Sequence, residues 1–257
     1  MYLAVDNCEL KSFFMNLGSG IIGAGINYVI FDQIIKHREK RDSHKKMVIA
    51  VKQANYIIME YGSLLLKIYK ASILTKPSKQ MNSYKELFTD DFHDEIRSFD
   101  INTKAPVHCG YLKINGSNVE LSISWLQYLH SEFSKLDSKL DAVIMKFSHF
   151  FEESQLNSLI AINSIRPLEA ITEYQQAVQY AIQLSQMHAT LINPPTFHDT
   201  SGSIIKNLAE SICNYEKSIS EVIMDAPLSV VSLWWSENVS PLFGESRLKQ
   251  QNGAPPL

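Results

Sequence analysis

At 257 residues, with 45% hydrophobic and 20% charged side chains and only ten glycines and nine prolines, the chain has enough apolar material for a packed core, which excludes a wholly disordered protein. Its net charge of −3 is uneven: residues 36–46 (KHREKRDSHKK) carry +4 and leave the remainder at −7, a mildly acidic body unsuited to wrapping a nucleic acid. Three widely spaced cysteines, Cys8, Cys109 and Cys213, form no CxxC pair and suggest neither a disulfide framework nor a zinc site.

The first predicted element lies at residues 13–31 (FFMNLGSGIIGAGINYVIF), nineteen residues without a charge, followed by Asp32, Gln33, Ile34 and Ile35. That length just spans a bilayer core as a helix, so residues 13–35 are expected to form one transmembrane helix. The alternative is a buried glycine-rich helix, since Asn16, Ser19, Asn27 and four glycines interrupt the apolar run. Ser19, Gly23 and Asn27 recur every four residues, as do Gly20 and Ala24, a stripe of small residues through which membrane helices pack closely. Self-association through that stripe is one expectation; the plainer reading is that glycine is simply common in membrane helices.

The flanks orient the segment. Residues 1–12 hold Asp6, Glu9 and Lys11, whereas Lys36, Arg38, Lys40 and Arg41 follow the apolar run. The enrichment of cytoplasmic flanks in Lys and Arg places the N-terminus outside and the main domain in the cytoplasm, at the inner membrane of a bacterial-type cell. The same polarity is wrong for a cleaved secretory signal. Asp32 falls at the expected membrane interface, one turn before Lys36, where pairing is a simpler reading than an ion or proton site.

The order Asn16-Leu17, Ile21-Ile22-Gly23, Val29 through Ile35, then Arg38-Glu39 resembles a recurring element of poorly characterised bacterial membrane-tethered proteins, some similar to membrane effectors of phage-defence operons. The resemblance covers about the first forty residues. It implies a single-pass anchor leading into a cytoplasmic helical domain, and an effector that disturbs the membrane when a partner or ligand activates it.

After the basic segment 36–46, residues 44–74 read as an amphipathic helix, with Val48, Val51, Ala54, Ile58, Tyr61, Leu65, Ile68 and Ala71 at spacings of three or four. No glycine or proline separates Asn27 from Tyr61, so the two helical segments are expected to run on as one. Residues 76–117 lose that period and read as short helices and loops. Asn115-Gly116 before alternating Val119, Leu121, Ile123 and Trp125 signals a hairpin, yet Ser117 to Glu120 also matches a capping box. Because Val119, Ser122, Leu126, Leu129, Phe133, Leu136, Leu140, Val143, Phe147 and Phe150 keep spacings of three and four, a long helix is the reading preferred there.

Further helices are expected at 153–164, 167–190 and 203–224, separated by Arg166-Pro167 and by the loop 193–202. The fold class is therefore all-α: a transmembrane helix followed by an antiparallel bundle over 47–226, with a C-terminal segment 227–257 disordered past Arg247. Trp234 and Trp235 in the apolar patch 228–235 either meet a membrane or partner or pack back on the bundle.

For chemistry, Asp90, Asp91, Asp94 and Glu95 surround His93, a set that holds a divalent cation only if the ligands converge; carboxylates at a helix start explain it equally. His108-Cys109 and His198-Asp199 have the residue types of an activated thiol and an oriented imidazole, but nothing in their spacing brings them together. His130, His149 and His188 stand singly. No cofactor and no catalytic site is expected. The function expected is a membrane-anchored sensor or effector acting through an unidentified cytoplasmic protein partner, against a constitutive membrane scaffold or adaptor that holds a partner at the membrane, or a helical enzyme with an unrecognised site.

Overall fold

The computed structural model describes residues 7–77, 83–107, 111–114, 117–188, 193, 195–220, 222 and 241–247. Its first element, α1 (Asn7–Ser72), is one unbroken 66-residue helix, as the absence of glycine and proline between Asn27 and Tyr61 suggests. Two units divide within it, Met1–Val48 and Ile49–Leu257.

In the first unit, Asn27 to Lys46 are exposed except for the half-buried Asp32. Lys36 and Asp32 pair at 2.7 Å across one helical turn, as their spacing suggests. Among the described residues, no helix is long and apolar enough to cross a membrane. This corrects the expectation of a transmembrane helix at 13–35. Asn16, Ser19, Asn27 and the glycines dilute the apolar run, and Asp32 with the basic residues Lys36, Arg38, Lys40 and Arg41 continues the same helix in polar form. The side chains of Ser19, Gly20, Gly23 and Ala24 lie outside the described residues; that of Asn27 is exposed. An inner-membrane location with the N-terminus outside rested on that helix and loses its basis with it.

The second unit is a helical bundle with one small β-ribbon. It comprises the end of α1, α2 (Tyr84–Leu87), α3 (Asp90–Glu95), a 3-10 turn (Ile96–Ser98), strands β1 (Tyr111–Ile114) and β2 (Ser117–Glu120), α4 (Trp125–Phe147), a 3-10 turn (Ser148–Phe150), α5 (Glu153–Ile165), α6 (Pro167–His188) and α7 (Phe197–Ile219). Val51, Ala54, Ile58, Tyr61, Leu65, Ile68 and Ala71 of α1 are all buried, which places the sequence-derived stripe in the core from Val51 onward; Val48 is half-buried. Each of the valine, leucine and isoleucine side chains contributes roughly 1.5–3 kcal/mol on burial, and the alanines less.

α7 is the central post, burying Phe197, Ser201, Ile205, Leu208, Ala209, Ile212, Tyr215 and Ile219 against α5, α6, α2 and the 3-10 turn at 96–98. The Tyr215 hydroxyl donates to the Val51 carbonyl at 3.3 Å, joining α7 to α1. α4 is held to α1 by a stacked Tyr61–Phe133 ring pair, by the hydrogen bond from the Tyr61 hydroxyl to Asp137, and by Lys67 donating to the Tyr128 hydroxyl at 3.0 Å.

The long helix expected from Val119 begins only at Trp125. β1 and β2 pair antiparallel, with Leu112 opposite Val119 and Ile114 opposite Ser117, so the hairpin reading prevails. The reason is that the alternation of Val119, Leu121 and Ile123 is continued by backbone pairing, with Ala105 N–H donating to the Ile123 carbonyl at 2.8 Å and Lys104 bridging Ser124. The capping box that operates is Ser124 with Gln127, not Ser117 with Glu120. α7 likewise starts six residues before the expected Ser203, because Thr196 and Asp199 form its capping box.

Candidate functional site

The last carbonyls of a helix have no partner within it and need one from elsewhere. For α1 that partner comes from residues 241–247, a strap from the far end of the chain. Gly244 N–H donates to Lys70 O at 3.2 Å, Ser246 N–H to Ala71 O at 3.1 Å, and Arg247 Nη1 to Ser72 O at 3.3 Å. Gly244 makes the turn with φ of +67°, a left-handed conformation that favours glycine. Ser246, fully buried, accepts from the Trp125 indole N–H at 2.6 Å and gives its own carbonyl to Asp100 N–H at 2.7 Å. Lys70 is buried beneath the strap with its ammonium 5.1 Å from the Phe243 ring, and burial depresses its pKa although Glu245 opposes this.

Where the strap meets α3, an open cleft of about 510 Å3 is lined by Tyr69, Ile73, Leu74, Thr75, Pro77, Asp91, Asp94, Glu95 and Arg247. α3 places its carboxylates here because Asp90 and Asp91 occupy its first turn, where negative charge is favourable, while Phe92 turns inward and is fully buried. Phe92 packs on Tyr69 with ring centroids 5.1 Å apart and on Phe88 at 4.9 Å, which fixes the helix against α1 and the α2 end.

Two of the three lining carboxylates have cationic neighbours: Asp94 pairs with Arg97 at 3.4 Å and Glu95 with Arg247 at 3.4 Å. Asp91 has no ion pair among the described residues. The Tyr69 phenol at the cleft wall is held above its ordinary pKa, first by burial and then by Glu95 and Asp91. The cleft thus presents the exposed carboxylates of Asp91 and Asp94 and the half-buried Glu95 beside the exposed Leu74 and the buried Ile73. Such a surface accepts cationic groups with apolar stems.

The acidic segment around His93 is split by the fold. Asp91, Asp94 and Glu95 line the cleft, whereas the electrostatic neighbours of His93 include Lys206, Glu210 and His198. Among the described residues no group of three or more His, Cys, Asp or Glu is arranged to hold a metal ion. His198 and Asp199 are not brought to a thiol; Asp199 caps α7, accepting from Thr196 N–H at 2.9 Å, and its carboxyl is held below the usual range by that bonding. Cys213 is partly buried and pushed up to about 11 by burial, the opposite of an activated thiolate. His130 and His149 are exposed and apart. His108, Cys109, Trp234, Trp235 and the tail past Arg247 lie outside the described residues, as does the side chain of His188.

Sequence reasoning missed the cleft because its members come from residues 69–77, 91–95 and 247. Nothing in the local sequence marks Arg247 or Gly244 as partners of α1 and α3. The membrane-effector function, with the membrane as partner and self-association through a membrane helix, is corrected here as well. It required a spanning segment, and the chain's helices instead pack extensively on one another. No family model, curated protein or solved structure matches the chain.

Proposed function

We propose that this chain is a helical adaptor that works by binding, and that the cleft between the end of α1, α3 and the strap receives a Lys- or Arg-bearing segment of a partner protein. The observation that carries the reading is the set of three carboxylates presented by one six-residue helix to an open cleft in which, among the described lining residues, Arg247 is the cation. The Arg247–Glu95 pair shows how a guanidinium is accommodated there. An incoming guanidinium finds Asp91 and Asp94 for charge-assisted hydrogen bonds and Leu74 and Ile73 for its stem.

Titration with a fluorescein-labelled arginine-rich nonapeptide tests this, followed by anisotropy in low and moderate salt. Saturable binding is expected, weakened by salt and lowered at least about tenfold, or ~1.4 kcal/mol, by the Asp91→Asn/Asp94→Asn double substitution. A glutamate-rich peptide of the same length is expected not to bind. Equal affinity for the wild type and the double variant, or no binding by the wild type, would sink the reading.

A further inference from the structure

The inner side of α3 holds a histidine in an unusual position. Nδ1 of His93 is enclosed without a hydrogen-bond partner among the described residues, and the ring lies edge-on to Phe92 at 5.1 Å. A neutral imidazole tolerates this arrangement, because one ring nitrogen bears no proton and the bare nitrogen merely lacks a donor. Protonation turns that nitrogen into a buried N–H of a cation with no acceptor, which is far less tolerable.

The surroundings offer little relief. Facing His93 are Lys206, Glu210 and His198 from α7 and Asp90 from α3 itself; α1 presents the Tyr69 ring to the adjoining Phe92. His198 lies along its own helix over Gly202, where a Cβ would fall 2.8 Å from Nε2, and beside the apolar Ile68, Ile96 and Ile205. Its charged neighbours are Arg97 of the 3-10 turn, Asp94 of α3 and Asp199 of α7. His93 of α3 thus has the His198 imidazole of α7 among its electrostatic neighbours.

We propose that α3 and the 3-10 turn Ile96–Ser98 form an acid-released latch: protonation of His93 and His198 unseats them from α7 and dissolves the acidic cleft. Both histidines are held below their ordinary pKa, chiefly by burial, with Lys206 acting on His93 and Arg97 on His198 in the same direction. The sign follows from linkage. A depressed folded-state value means that the unfolded or released segment binds protons more readily, so docking is complete above about pH 6.5 and is lost as pH falls. That acid release ends partner binding rests on the adaptor reading; the release itself does not.

Hydrogen exchange of the full-length protein at pH 7.5 and 5.5, corrected for intrinsic rates, reads the latch directly. Amides of residues 90–98 are expected to lose protection at pH 5.5 while those of α4 keep theirs, and His93→Gln/His198→Gln is expected to abolish the difference. If that variant is poorly folded, two milder ones decide. Lys206→Gln removes a cation that opposes protonation and should diminish the acid loss; Glu210→Gln removes an acid that favours it and should enlarge the loss. Unchanged protection in the wild type, or equal loss in Lys206→Gln and Glu210→Gln, overturns the proposal. The arginine-rich nonapeptide separates the two readings. Binding at pH 7.5 that disappears at 5.5 supports both. Acid-dependent protection with no peptide binding at either pH supports the latch and removes the adaptor.

Discussion

Thr196 and Asp199 illustrate how much a single pair of side chains decides. Asp199 N–H donates to Thr196 Oγ1 at 3.3 Å while the Asp199 carboxylate accepts from Thr196 N–H, which sets the first turn of the central helix. Thr196→Ala is expected to lower stability by about 1 kcal/mol, measured by urea denaturation at pH 7. Because the Asp199 pKa is depressed in the fold, its contribution is present above the unfolded value near 3.9 and fades as pH falls through the folded one. The difference between variant and wild type should therefore shrink in acid. Arg166 is a second decisive residue, left-handed at φ of 46° between α5 and Pro167. Arg166→Val is expected to cost about 1–2 kcal/mol in the same assay and Arg166→Gly not to destabilise, since every Cβ is strained in that backbone, a β-branched one most, and glycine is not. The exposed Arg166–Glu169 contact at 3.4 Å adds little to either result.

At the level of elements, α2 and the strap depend on close approach. A Cβ on Gly62 of α1 would fall 2.5 Å from the Tyr84 ring, so α2 sits where only a glycine lets it sit. Gly62→Ala is expected to displace Tyr84 and to cost about 1–3 kcal/mol, offset by up to about 1 kcal/mol of helix propensity. A double-mutant cycle with Tyr84→Leu should then show strong non-additivity; additive effects would mean that α2 is not seated on Gly62. For the strap, Ser246→Ala leaves the fully buried Trp125 indole N–H without its acceptor, a loss of about 1–3 kcal/mol. Equilibrium unfolding, with the emission of Trp125 as one probe, checks it. The hairpin shows why elements are harder to read than residues. Ser117 to Glu120 and Ser124 to Gln127 both satisfy the capping pattern, and the two differ only in what lies beside them: β1 for the first, the 101–105 loop for the second. A three-four spacing of apolar residues runs across both.

For the whole molecule, His93 and His198, held below their ordinary pKa, contribute a stability that is present above about pH 6.5 and is lost as pH falls, while Asp137 and Glu216, raised by burial, contribute with the opposite sign, so the histidine part is read as the difference between the wild type and His93→Gln/His198→Gln in urea denaturation at a series of pH values. The stripe from Val51 to Ala71, the core positions Leu129, Phe133, Leu136 and Leu140 of α4, and the continuity of α1 were determined by the sequence alone, because periodicity and the absence of breakers are local properties. An apolar run without charges is local too, yet it did not amount to a membrane-crossing helix among the described residues, since its glycines and asparagines weigh against its isoleucines. Only the tertiary structure decided that Arg247 meets Glu95 across 152 positions and that Ser246 accepts from Trp125 across 121. It also set the residues of α3 apart, Asp91, Asp94 and Glu95 lining a cleft and His93 meeting charged neighbours of α7. The physical reason is that spacing fixes which side of a helix is apolar, while the identity of the segment that covers an exposed helix end depends on closing loops of more than a hundred residues. Loop closure costs grow only slowly with length, so many pairings remain open until the whole core has packed.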